Sequence, residues 1–204
     1  MEFKGFKRTL LSIMLFGLPF AFHPQMSANQ NVTEPAPKQE LAYQDLLTDQ
    51  DIQSIENLLG TIKERIDIME HVSAYKWNRG KPILEIDNEQ QLLQNIVIQA
   101  KKHNVSPEKA KEIFSKQLEA AQIAQINEFE RLVQIKAGDV EEKLEDPQAA
   151  LAEINSRLFI HSKEALPALQ KHSAQKVLQV KIEAIFANVD PDIVKAATAP
   201  FVEQ

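Results

Sequence analysis

Residues 49–78, DQDIQSIENLLGTIKERIDIMEHVSAYKWN, decide the fold. Apolar residues recur at Ile52, Ile55, Leu59, Ile62, Ile66 and Met69, in alternating steps of three and four. That period lays one apolar stripe along an α-helix. Thr48, Asp49 or Asp51 can cap its start, and Gly80 followed by Pro82 stops it. The spacing predicts one uninterrupted helix of about eight turns, near 45 Å long. Gly60 in its middle costs about 1 kcal/mol against alanine, which a second helix crossing closely there would explain.

The same signals repeat outward from this helix. A second helix is expected from Ile86 to His103, with Leu92, Leu93, Ile96, Val97 and Ala100 on one stripe. Ser106-Pro107 reads as a cap with proline at the first helical position, opening a third helix that ends at Gly138. Its stripe is Phe114, Leu118, Ala121, Leu132 and Ile135. Residues 139–146 are acidic and read as a connection. Asp146-Pro147 starts a fourth helix that Pro167 kinks or ends. A fifth runs to about Asn188, and a short one starts at Pro191. Strand-like alternation is absent. The expected fold is all-α, a bundle of about five to six helices. A three-helix unit over 48–138 would carry the site, with a C-terminal helical unit over 139–204 packed on it.

Composition narrows the chemistry. The 204 residues include five glycines and no cysteine, which excludes a disulfide scaffold, a thiolate metal site and a cysteine nucleophile. Only Gly60, Gly80 and Gly138 lie beyond residue 28, so no glycine-rich phosphate loop is possible. A net charge of −6 argues against a nucleic-acid partner. Lys4, Lys7 and Arg8 precede an apolar run from Leu10 to Phe22, too short for a membrane span and of the size of a secretory signal. Residues 1–28 therefore read as a signal peptide, cut after Ala28 or, as the second choice, Ala21. The expected location is the periplasm, with no membrane attachment after cleavage. Residues 29–47, with Pro35 and Pro37, read as a flexible leader.

Polar residues that interrupt the apolar stripes mark the site. Continuing the first stripe past Met69 reaches Ser73 and Lys76, and Arg65 lies beside the same seam. Glu89 shares the second stripe, and Gln125 follows Ala121 at i+4 on the third. Burying an unpaired charge costs several kcal/mol, so inward cations call for anions. A pocket with two cations and neutral donors fits a small organic dianion. Structural readings compete with this one: Lys76 can reach out to solvent near its helix end, Arg65 and Glu89 can pair internally, and Gln125 can fix helix register. His161 and His172, flanking Pro167, read as helix-end residues, and no histidine has metal-ligand spacing.

Glu64-Arg65-Ile66, the run VSAYKW at 72–77, Pro82-Ile83, Glu89 and the run QLEAAQ at 117–122 together resemble the all-helical chorismate mutases. Within that family they are similar to the secreted, periplasmic subclass, over about residues 52–130. The resemblance implies a cofactor-free rearrangement of chorismate to prephenate. It assigns Lys76 and Gln125 as donors to the ether oxygen and Arg65 as the grip on a substrate carboxylate. Glu85 and Glu89 would meet the ring hydroxyl, and Asn88, Ala121 and Gln148 would complete the substrate pocket. Asn88 and Gln148 stand where the family carries arginines, a loss that should weaken substrate binding unless Arg79, Lys143 or Arg157 substitutes. A homodimer is compatible with the subclass. The competing expectation is a helical binding or scaffold homologue that has lost the chemistry.

Overall fold

The computed structural model describes residues 46–202. The expected signal peptide and the leader up to residue 45 lie outside the described residues. Seven helices and no strand occur among those described: α1 Asp49–Asp67, α2 Met69–Asn78, α3 Ile86–Lys102, α4 Pro107–Gln134, α5 Pro147–Leu169, α6 Ala174–Ile185 and α7 Pro191–Thr198. The all-α expectation holds, and α1 and α2 together are the long first helix divided at one residue. Ile68 keeps right-handed angles, φ −66° and ψ −15°. Its shallow ψ opens the ladder for a single residue, while its N–H still reaches Glu64 O at 3.0 Å.

Helix starts follow the side chains that can cap them. Thr48 and Asp51 form a reciprocal capping box on α1, with Asp51 N–H donating to Thr48 Oγ1 at 3.2 Å and Thr48 N–H to Asp51 Oδ2 at 2.7 Å. Lys171, in the turn after α5, donates to the same carboxylate at 2.7 Å. These bonds, led by the one from Lys171, hold the Asp51 carboxyl down at about 2. Ser106, Asp146 and Asp190 cap α4, α5 and α7, each with proline at the first turn.

Helix ends are less uniform. After α2, Gly80 takes φ 58°, Gly80 N–H bonds Trp77 O and Lys81 N–H bonds Lys76 O, the paired closure of a Schellman motif. Asn104 at φ 57° ends α3 in the same way, and Lys136 at φ 53° ends α4. The stop expected at Gly138 therefore falls earlier, with α4 closing at Gln134. Ile135, placed on the buried stripe, lies beyond that end and is exposed. Gly60 is also corrected: a Cβ built there meets nothing within 4 Å, so no helix crosses closely. His161 lies inside α5, not at its end, and its Nδ1 sits 2.7 Å from Thr61 Oγ1 on α1.

The core joins both halves of the chain. Ile55, Leu58, Leu59 and Ile62 of α1 pack with Ile113 and Phe114 of α4, Leu158 and Ala165 of α5, and Leu178 of α6. α5 lies along α1, while α4 is flanked by α2, α3 and α7. A second, smaller cluster of Ile68, Met69, Val72, Ala121 and Ile154 sits where α1, α2, α4 and α5 meet. Three of its members, Met69, Val72 and Ala121, form the apolar wall of a cavity. None of the described helices is long and apolar enough to cross a membrane.

Candidate active site

That cavity, about 420 Å³, collects the eight residues assigned to the site from the sequence. Arg65 and Lys76 enter from α1 and α2, Glu85 from the loop before α3, Asn88 and Glu89 from α3, Ala121 and Gln125 from α4, and Gln148 from α5. The α5 wall continues through Leu151, Ala152 and Asn155. Residues 148, 151, 152 and 155 share one helical face, so both halves of the chain build the pocket.

Arg65 is only 2% exposed, the least accessible charge in the described core. Its Nε donates to Asn155 Oδ1 at 3.0 Å and its Nη1 to the Gln117 carbonyl at 2.5 Å. Both acceptors are neutral. Arg65 makes no ion pair among the described residues, so the internal pairing with Glu89 does not form. Burial without a compensating anion disfavours the charged form and lowers its pKa to about 10. Gln117 is itself fully buried, and its Nε2 donates to Ala197 O on α7 at 2.7 Å.

Lys76 is 6% exposed, which excludes a side chain reaching out to solvent. The Schellman turn after α2 brings the chain back so that Ile83 O accepts from Lys76 Nζ at 2.7 Å. Glu85 Oε2 lies 3.3 Å from the same nitrogen. Glu89 accepts from Gln122 Nε2, each carboxylate oxygen at 3.2 Å. Gln125 Nε2 donates to Ala121 O at 3.2 Å and points at Met69 Sδ at 3.7 Å, while Oε1 is buried without a partner. Thioether sulfur is a weak acceptor, so a ligand oxygen would readily take that second N–H.

Among the described residues, the charges lining the cavity are two cations and two carboxylates. None of the three candidate replacements joins them. Arg79 pairs with Glu142 at 2.6 Å and stacks on Tyr75, Lys143 faces Glu70, and Arg157 pairs with Glu64 at 2.6 Å. Trp77 is likewise outside the cavity, its Nε1 donating to Gly138 O at 2.9 Å. With Asn78, bonded both ways to Val140, it clips the acidic connection to the end of α2. Sequence reasoning missed Asn155, although its seven-residue spacing from Gln148 places it on the same face. No group of three or more His, Asp or Glu that could hold a metal ion occurs among the described residues.

A larger groove of about 740 Å³ lies between the start of α4, the end of α5 and the last described residues. Its Lys109 is already engaged by Pro200 O at 2.7 Å and Glu112 at 3.0 Å.

Residues 50–126 match the family model described as chorismate mutase type II. That segment is similar to chorismate mutase type II domains. It contains every cavity residue named above except the four on α5, Gln148, Leu151, Ala152 and Asn155. Two solved structures share the fold beyond the matched segment. The chorismate mutase from Burkholderia thailandensis is 19% identical, with TM-score 0.66, covering 72% of this chain and 98% of that one. The chorismate mutase from Burkholderia phymatum is 17% identical, with the same TM-score, covering 76% and 99%. No curated protein sequence matches the chain. The family is one of isomerases.

Proposed function

We propose that the chain is an exported chorismate mutase that converts chorismate to prephenate in the periplasm. The observation that carries this reading is Arg65, a buried cation without a counter-ion, facing a cavity that Lys76 enters from the next helix. Chorismate is a dianion, and its [3,3] rearrangement needs no nucleophile, proton transfer or cofactor. A protein accelerates it by holding the compact conformer and by stabilising charge as the ether C–O bond breaks. Arg65 holds a carboxylate, Lys76 and Gln125 donate to the ether oxygen, and Glu85 and Glu89 accept from the ring hydroxyl. Asn88, Ala121 and Gln148 shape the remaining wall. Export rests on the basic residues and apolar run of the first 28 positions.

A second reading has its own support. Asn88 and Gln148 are neutral, and among the described residues no cation besides Arg65 and Lys76 lines the cavity. A homologue that binds weakly and does not turn over would look the same. A direct assay of chorismate disappearance separates the two, and turnover equal to the uncatalysed rate would overturn the enzyme reading. Finding the chain unprocessed in the cytoplasmic fraction would overturn export.

A further inference from the structure

We infer that Asn155 is a positioning residue for Arg65 and a second, neutral donor to the same substrate carboxylate. The inference rests on the chorismate mutase reading and extends it to the C-terminal half of the chain. Asn155 lies on α5, outside the matched segment, and lines the cavity with Arg65. Its Oδ1 accepts from Arg65 Nε at 3.0 Å, which fixes which way the amide faces. With Gln117 O on Nη1, two bonds from different helices hold the guanidinium, and Nη2 takes no protein acceptor among the described residues. Asn155 Nδ2 likewise makes no hydrogen bond among them, which leaves an unused amide donor on a residue that lines the same cavity as Arg65. A carboxylate at the two nitrogens would receive one charged and one neutral donor.

The neutrality of Asn155 matters as much as its reach. An aspartate would hold Nε as well, yet would cancel the charge that an anionic ligand needs. Asn155 therefore orients Arg65 without consuming its charge, and its Nδ2 partly replaces the cations that Asn88 and Gln148 do not supply.

Two variants test this on the full chain. Asn155→Ala removes acceptor and donor, and KM for chorismate should rise by about tenfold with kcat changing far less. Asn155→Asp keeps the clasp on Arg65, so its melting temperature should stay level or rise while KM rises at least as much as in the alanine variant. A residue that merely fastens α5 to α1 behaves differently: the aspartate variant would keep the wild-type KM. That result, or an alanine variant with wild-type KM, overturns the inference. If the wild-type chain shows no turnover, the enzyme reading fails separately, and the same comparison is read as chorismate affinity by calorimetry. Wild-type affinity in either variant, or no binding by the wild type, then overturns the inference.

Discussion

Arg65 meets only neutral oxygens, Asn155 Oδ1 and Gln117 O, whereas Lys76 meets a backbone carbonyl and the Glu85 carboxylate. Both cations are buried in one cavity, yet they are held by opposite means. Arg65 keeps its full charge at a desolvation cost, visible as a pKa lowered to about 10 by burial. Lys76 is partly balanced before any ligand arrives, so its ammonium offers direction more than net charge. The first arrangement favours capture of an anion. The second favours a short, aimed donor at an atom where charge develops during reaction. On the proposed function, affinity and rate thus fall to different cations.

Lys76→Ala should be the most damaging change under this division. On the proposed function it removes the charged donor at the breaking bond, and kcat should fall by about 10²–10³-fold, with KM changing much less. A variant keeping more than a tenth of kcat would remove Lys76 from its role and break the comparison. Arg65→Ala removes the other cation. A charged hydrogen bond to a carboxylate is present in substrate and transition state alike, so KM should rise about 10–100-fold at modest cost in kcat. Steady-state kinetics on the two variants reads both predictions, and equal kcat losses would mean that the cations act as one unit.

Asn88→Arg sharpens the contrast by adding a third cation. Asn88 is exposed at the cavity wall, so the new charge is screened and the gain in kcat/KM should be about two- to fivefold. It should come through KM and shrink as salt is added. An unchanged or lower kcat/KM with the fold intact would show a pocket rebuilt around asparagine.

The sequence exposed one part of this arrangement and concealed another. Apolar period and capping residues located the helices, because those signals are local and each has one meaning. Helix ends were legible only where the left-handed residue was Gly80. Lys136 performs the same task after α4 without a compositional mark, which is why Ile135 was placed inside and lies outside. Gly60 misled in the other direction, since a glycine in a helix suggests a close neighbour that is not there. In the site, inward cations on an apolar stripe were visible from spacing alone. The partners that decide how each cation behaves were not. Asn155 meets Arg65 across ninety positions of chain, and Ile83 meets Lys76 only because the turn after α2 folds back.

The pH profile is the mildest test and bears on the third donor. Gln125 offers an amide N–H that Ala121 O and Met69 Sδ already orient. An amide donates at every pH, whereas a carboxylic acid at that position would donate only while protonated. For affinity, a pKa near 10 leaves Arg65 charged throughout the neutral range. Deprotonation on raising the pH through that value removes the charge, so Arg65 can weaken binding only on the alkaline side. A bound carboxylate favours the charged form and moves that loss still higher. The expected kcat/KM therefore varies by less than about twofold between pH 6 and 8. Gln125→Glu should convert this flat profile into one that rises as pH falls, with little activity at pH 8. A wild-type profile that climbs steeply from pH 7 to 5 would identify a protonated carboxyl as the essential donor, and Gln125 would lose its place beside Lys76.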